Sequence, residues 1–137
     1  MLDIRFVREN LDQVATAMRN RNHSWDSDRF VQLDEDRRRV ITEEEALLSE
    51  RNTLSKTIGK LMSEGKKEEA EAAKAQVAHL KERIGVLSAE RVKVDDELHS
   101  ILMSTPNMPA DSTPVGESED DNPEVRRWGT PREFDFD

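Results

Sequence analysis

The sequence predicts an all-α protein: a long antiparallel two-helix coiled-coil hairpin with a small N-terminal helical segment and an extended C-terminal tail. Two observations carry this prediction. Apolar residues recur at alternating steps of three and four over two long segments, which is the heptad pattern of a coiled coil. No proline lies between Met1 and Thr105, so no residue in that stretch forces a helix to end.

The composition favours a thin rod over a thick globule. The chain has 137 residues, of which 34% are hydrophobic, 37% charged and 4% aromatic. An ordinary globular domain has about 45–50% apolar and about 25% charged residues. Cysteine is absent, which excludes disulfides, cysteine metal sites and thiol nucleophiles. The N-terminus lacks the basic and apolar regions of a signal peptide, and no run approaches the ~20 apolar residues of a membrane span. We expect a cytoplasmic protein with no membrane contact.

Residues 1–22 are predicted to form small N-terminal helices. Asp3 is placed to cap a first helical turn. Asn10 is interpreted as a second N-cap, because Asp12 lies in the following turn and Gln13 three residues on.

Two long helices are predicted, over residues 27–63 and 66–104, and each presents one apolar seam. The seam of the first contains Phe30, Leu33, Val40, Leu47, Leu54, Ile58 and Leu61. The seam of the second contains Ala70, Ala73, Val77, Leu80, Ile84, Leu87, Val94, Leu98 and Ile101. Charged residues interrupt the two seams at Arg37, Glu44, Arg51 and Arg91. Arginine stems can cover such a seam while their heads reach water.

A turn around Gly65 makes the two helices antiparallel. Glycine is suited to end a helix there because it enters the left-handed region without a Cβ clash. Facing seam residues then have numbers that total 131, from Phe30 with Ile101 at the base to Leu61 with Ala70 at the tip. Helices of this length span about 55 Å at 1.5 Å per residue.

Gly59 and Gly85 lie inside the long helices at outward positions. Each costs up to about 1 kcal/mol relative to alanine. They are either tolerated defects of a long helix or positions where another backbone must approach closely.

Residues 105–137 are predicted to be a linker that follows the hairpin arm of residues 1–104. Pro106 and Pro109 stop the second helix, and residues 110–126 are acidic and rich in turn formers. Aromatic residues then cluster at Trp128–Phe136 with nothing after them to pack on. We expect this ending to lead into a further domain.

The charge is divided along the chain, and the division changes what the net charge of −9 implies. Residues 105–137 carry a net −6, whereas residues 51–93 carry a net +4. In this basic region Asn52, Lys56 and Lys60 step by four, and Lys67, Lys74 and Lys81 step by seven beside the seam. Phosphate contacts need only such groups on a rigid support. The alternative is a solubilising coil surface laced with salt bridges.

Aromatic stacking on single strands is disfavoured, since no aromatic residue lies between Val31 and Arg127. An RNA partner would therefore be a helical arm, contacted through its backbone and shape. The histidines lack the spacing of metal ligands. No carboxylates are expected in a concave site suited to acid–base catalysis, because a two-stranded coil has no such pocket. We expect no catalytic residue, no metal and no cofactor within these residues.

Several stretches have the residues of a known family. They are Met1-Leu2-Asp3, Arg8-Glu9-Asn10, Glu50-Arg51-Asn52, Ser55-Lys56, Ile58-Gly59, Thr105-Pro106-Asn107-Met108-Pro109 and Asp121-Asn122-Pro123-Glu124-Val125-Arg126-Arg127-Trp128-Gly129. In this order and at this spacing the chain resembles the N-terminal region of bacterial seryl-tRNA synthetases. The resemblance implies a hairpin that binds the long variable arm of tRNA-Ser. It also implies a homodimer and a class II catalytic domain, with its ATP, Mg²⁺ and serine sites, beyond Asp137.

The resemblance assigns tRNA binding to Arg51, Asn52, Ser55 and Lys56, which match the arm motif of the family. Arg51 falls on the predicted seam, so a structural role is open for it, and Ser55 flanks the seam. Lys60, Lys67, Lys74 and Lys81 are candidates on the charge argument alone. The competing hypothesis for the whole chain is a non-catalytic coiled-coil module for protein interaction or spacing.

Overall fold

The computed structural model describes residues 1–135, which form an all-helical hairpin without a β-strand in that range. The helices are α1 (Ile4–Glu9), α2 (Leu11–Asn20), α3 (Ser27–Ser63) and α4 (Lys67–Ser104). The long helices α3 and α4 pack on each other, which confirms the predicted fold class. Phe136 and Asp137, the last residues of the predicted tail, lie outside the described residues. None of the helices in residues 1–135 has the length and apolar character that crossing a bilayer requires.

The turn between the long helices is closed by the predicted glycine. Gly65 has φ +77°, in the left-handed region. The N–H of Lys66 donates to the Leu61 carbonyl at 3.0 Å, and the N–H of Gly65 donates to the Met62 carbonyl at 3.2 Å. These two bonds form the Schellman motif that satisfies the last carbonyls of a helix. Lys66 itself is not helical, so α4 begins at Lys67, one residue later than predicted.

The N-terminal segment confirms one predicted cap and corrects the other. The Asp3 carboxylate accepts from the N–H groups of Arg5 and Phe6 and so caps α1. The Asn10 side chain makes no capping bond to α2. It donates instead to the Phe6 carbonyl at 2.9 Å, one turn back. Asn10 does occupy the N-cap position of α2 as predicted, but its side chain does not make the predicted bond, because asparagine can bond to backbone on either side and here it closes α1.

The largest buried core lies where α1 and α2 cover the open end of the hairpin. We call this part the base: α1, α2 and residues 27–40 and 94–104. Its buried residues are Val7, Val14, Ala17, Met18, Phe30, Leu33, Val94, Leu98 and Leu102. Phe30 is only 1% exposed, and the Trp25 ring packs against it with the ring centroids 6.0 Å apart.

A buried ion pair fastens α1 to the base. Arg8 donates from Nε and Nη2 to the two carboxylate oxygens of Asp34, at 2.6 and 2.7 Å. The Asp34 side chain is 3% exposed, and Arg38 approaches the same carboxylate at 3.4 Å. This bidentate geometry is the strongest form of a carboxylate–guanidinium contact. It orients α1 on the side of α3 that carries Asp34.

A second, smaller cluster fills the middle of the rod. It consists of Val40, Leu47, Leu80 and Leu87, with Leu54 and Ile84 packed against it. Three of the four charged seam residues find partners across the hairpin: Arg91 donates to Glu44 at 3.1 Å, and Arg37 donates to Asp95 at 2.6 Å. Including the pairs Arg29–Glu97 and Arg39–Glu90, interhelical partners have numbers that total between 126 and 135. They bracket the predicted register of 131.

The tail leaves the base through a few contacts and is then exposed. Thr105 is buried, and the Arg21 guanidinium donates to the Asn107 carbonyl. Residues 110–135 are exposed throughout, as an extended tail requires. One local structure interrupts it, a 3-10 turn at Glu119–Asp121 whose capping box is formed by Ser118 and Asp121.

Candidate nucleic-acid interface

The basic region of residues 51–93, here called the distal half, comprises the end of α3, the turn and the larger part of α4. Because α3 and α4 are continuous through it, residues seven apart on one helix are about 10 Å apart along the axis. Side chains on such helices keep their spacing, so a row of charges can face a regular polyanion.

Antiparallel packing gives the rod two flanks of different composition. Residues that follow the seam on each helix share one flank, which we call the lysine flank. Its members in the distal half include Asn52, Ser55, Gly59, Lys67, Glu71, Lys74, Lys81 and Gly85. Residues that precede the seam share the opposite flank, which we call the glutamate flank. Its members in the distal half include Lys60, Glu69, Gln76, Arg83, Glu90 and Lys93, and Glu43, Glu50 and Glu97 continue it toward the base.

Contacts in the structure support this assignment of flanks. Glu50, Gln76 and Arg83, from both long helices, line one shallow depression on the glutamate flank. On the other side, Asp95 and Leu102 line a depression together with the start of the chain, residues 1–4, which leads into α1. The lysine flank is therefore the side of the rod that α1 covers at the base.

Three of the four residues that match the family arm motif are joined by hydrogen bonds on one turn of α3. Arg51 is half-buried on the seam, and its Nη2 donates to the Asn52 Oδ1 at 2.8 Å. The Ser55 hydroxyl donates to the Arg51 carbonyl at 2.8 Å. Asn52, Ser55 and Lys56 are exposed. Arg51 thus positions Asn52 from the seam, while the other three side chains are accessible to a ligand.

The five candidate lysines are all exposed but differ in how their charges are paired. Lys74 Nζ lies 2.6 Å from a carboxylate oxygen of Glu71, and Lys60 Nζ lies 3.9 Å from one of Glu64. Lys56, Lys67 and Lys81 have no carboxylate oxygen within 4.0 Å among residues 1–135. The last three therefore carry the most available charge.

The candidates do not all face the same way. Lys67, Lys74 and Lys81 align on the lysine flank, and Lys56 lies opposite the seam. Lys60, four residues further, is turned toward the glutamate flank. The structure therefore separates Lys60 from the other candidates, a distinction that the spacing by four did not show.

In contrast to these lysines, the guanidinium groups of Arg8, Arg39 and Arg91 donate hydrogen bonds to carboxylates of the protein. The hydrogen bonds that Arg39 donates to the carboxylates of Glu90 and Asp36 raise the pKa of Arg39. The hydrogen bond to Glu44 raises the pKa of Arg91, and the one to Asp34 raises the pKa of Arg8. These cations are already neutralised by the protein itself. Sequence reasoning also left out Lys66, Arg83 and Lys93 of the distal half. Arg83 and Lys93 precede seam residues on the glutamate flank, and Lys66 lies beside Glu64.

Within residues 1–135 no three His, Asp or Glu side chains come together as metal ligands.

Comparison with known proteins agrees with the helical-hairpin fold. The family described as seryl-tRNA synthetase N-terminal domain matches residues 1–109. A serine–tRNA ligase of Listeria monocytogenes serotype 4a (strain HCC23) is 46% identical over 138 residues, which cover 100% of this chain and 32% of that protein. One of Neisseria meningitidis serogroup C (strain 053442) is 44% identical over 137 residues, with the same coverage. The chain thus spans about a third of the length of these relatives.

A solved structure has the same fold. The crystal structure of seryl-tRNA synthetase from Pyrococcus horikoshii complexed with ATP superimposes with a TM-score of 0.81 at 32% sequence identity. The match covers 94% of this chain and 29% of that one. Sequence and structure therefore agree that this chain belongs to the seryl-tRNA synthetase N-terminal domain family.

Proposed function

We propose that this chain is the arm of a serine–tRNA ligase, and that its distal half binds the long variable arm of tRNA-Ser. Binding would hold the tRNA while a class II catalytic domain, outside these residues, attaches serine to it at the expense of ATP. ATP, Mg²⁺ and serine sites, as well as a homodimer contact, belong to that further part of the enzyme. A cytoplasmic location, where tRNA is charged, is part of the same proposal.

One observation carries the proposal: three exposed cations have no carboxylate partner in the part of the rod far from its base. Lys56, Lys67 and Lys81 are exposed and unpaired within residues 1–135, on a support about 55 Å long. A polyanion can release its counterions to such groups without first displacing a carboxylate. The lack of aromatic residues in the distal half favours a duplex over a single strand.

Binding of two tRNAs to this chain tests the proposal. The first is tRNA-Ser, and the second is the same tRNA with its long variable arm shortened to a few nucleotides. Fluorescence anisotropy at 50 and 200 mM salt gives Kd for each. We expect tRNA-Ser to bind more tightly by about tenfold or more, with an affinity that falls steeply with salt because phosphate contacts release counterions.

Equal affinity for the two tRNAs would contradict the proposal. Binding that is insensitive to salt would contradict it as well, and would instead favour a coiled coil that grips a protein partner through apolar contacts.

A further inference from the structure

We propose that the RNA docks on the lysine flank and not on the glutamate flank, and that Gly59 and Gly85 are the points where its sugar–phosphate backbone comes closest to the helices. This inference rests on the proposed function, since it names the surface through which the same RNA is bound. It also commits to one of the two interpretations that the sequence leaves open for these glycines.

The charges of the two flanks give the first argument. Lys67, Lys74 and Lys81 form a row on one side of α4 at intervals of about 10 Å. On the opposite side, the positions directly beside the seam carry Glu69, Arg83 and Glu90, while Lys60 and Lys93 lie farther from the seam. A polyanion is therefore attracted more strongly to the lysine flank.

The two glycines give the second argument, which is independent of the charges. A Cβ atom built at Gly59 or Gly85 meets no other atom within 4 Å. Neither glycine has the positive φ that would require it, since Gly65 and Gly129 are the ones among residues 1–135 that do. Glycine is a poor helix former, so packing inside the chain gives no reason for either residue. Close approach of another backbone is the remaining physical reason.

The placement of the glycines joins the two arguments. Each follows a seam residue, Ile58 on α3 and Ile84 on α4, and so lies on the lysine flank. Gly59 is one helical turn from Ser55, and Gly85 one turn from Lys81. Both bare patches of helix therefore adjoin groups that can bond to phosphate.

Paired substitutions on the two flanks test the choice of side. Lys81→Ala removes a cation of the lysine flank, and Arg83→Ala, two residues away, removes one of the glutamate flank. For tRNA-Ser at 100 mM salt, we expect Lys81→Ala to raise Kd by about three- to tenfold and to lower the salt slope by about one. Arg83→Ala should change Kd by less than twofold.

Alanine at the glycines tests the close approach with a readout that a structural role would not produce. Gly59→Ala and Gly85→Ala should each raise the Tm of the chain, because alanine is the better helix former. If the RNA backbone lies against the bare helix, each should nevertheless raise Kd by about threefold or more. Raised Tm with unchanged Kd would overturn the role assigned to the glycines.

The outcomes separate this inference from the proposed function. If the unmodified chain does not distinguish tRNA-Ser from the tRNA with the shortened arm, the proposed function is wrong. If it does distinguish them, but Arg83→Ala weakens binding as much as Lys81→Ala, the function stands and the docking on one flank is wrong.

Discussion

The base and the distal half of the hairpin follow one heptad pattern, yet they bury their seams to different extents. At the base Phe30, Leu33 and Leu98 are at most 3% exposed. In the distal half Leu54 and Leu61 remain half-buried. The reason is that α1 and α2 add a third layer at the base, whereas the distal half is two helices alone. Near the turn, Ile58 and Leu61 face only the alanines Ala73 and Ala70. The stability of the fold is thus concentrated where no ligand is proposed to bind.

The largest expected effect is therefore a cavity in the base. Phe30→Ala should lower the free energy of unfolding by about 3–5 kcal/mol, because it empties the centre of the largest core. Leu61→Ala, at the same seam near the turn, should cost less than about 2 kcal/mol since the side chain is already half-exposed. Urea denaturation followed by circular dichroism measures both. Equal losses would contradict the comparison.

The next effect concerns the buried pair that fastens α1. Asp34→Asn should lower the free energy of unfolding by about 1–3 kcal/mol, because Arg8 loses the bidentate carboxylate. The loss stays within this range because the Arg8 side chain is 35% exposed and water can reach it. Hydrogen exchange should show α1 opening first. Asp36→Asn is the matched control: that carboxylate lies in a surface pair with Arg39, and its loss should cost less than about 0.5 kcal/mol.

A smaller effect is expected in the middle of the rod, where Glu44 and Arg91 form a polar layer across the seam. Arg91→Leu alone leaves the carboxylate of Glu44, whose side chain is 12% exposed, without its partner, and should destabilise the fold by about 1–2 kcal/mol. The double variant Glu44→Leu with Arg91→Leu should recover that loss or exceed it, since an apolar layer packs without desolvating a charge. Thermal unfolding of the single and double variants checks this. A double variant less stable than Arg91→Leu would contradict it.

The smallest effect lies in the tail, outside both regions. The Asp121 carboxylate accepts bonds from the N–H groups of Glu117 at 2.7 Å and Ser118 at 3.2 Å, and these lower its pKa below the ordinary value. A lowered pKa stabilises the turn above the unfolded pKa of about 3.9, and this contribution is lost as the pH falls through the lower folded value. The amide resonances of both residues should shift with a midpoint below pH 3.9. A midpoint at or above that pH would show that the bonds are absent.

Local signals predicted most of the hairpin, and long-range contacts account for what they missed. The turn and the seams depend on local residue type and spacing, so Gly65 and the heptads were enough to predict them. The Arg8–Asp34 pair joins residues 26 positions apart, and no local pattern indicates it. Asn10 misled because one asparagine can serve either neighbouring helix. The capping box of Ser118 and Asp121 does have a sequence signature, a serine followed three residues later by an acid, and could have been found.

The sequence predicted which region of the rod carries the candidate interface, but not on which side of the rod it lies. Charge counting located the distal half, and helical spacing placed Asn52 and the lysines outward. It could not show that Lys74 is paired with Glu71, since a side chain chooses among several partners within reach. Nor did it separate Lys60 from Lys81, because which flank a residue shares with the other helix depends on how the two helices pack.

The claim that the base stabilises the fold while the distal half binds RNA is tested most directly by replacing the three free lysines together. Lys56→Ala, Lys67→Ala and Lys81→Ala in one chain should raise Kd for tRNA-Ser by at least about tenfold at 100 mM salt. The Tm should stay within about 2 °C, because exposed side chains away from caps and cores contribute little to stability. Unchanged affinity, or a loss of affinity that follows a large fall in Tm, would contradict the account.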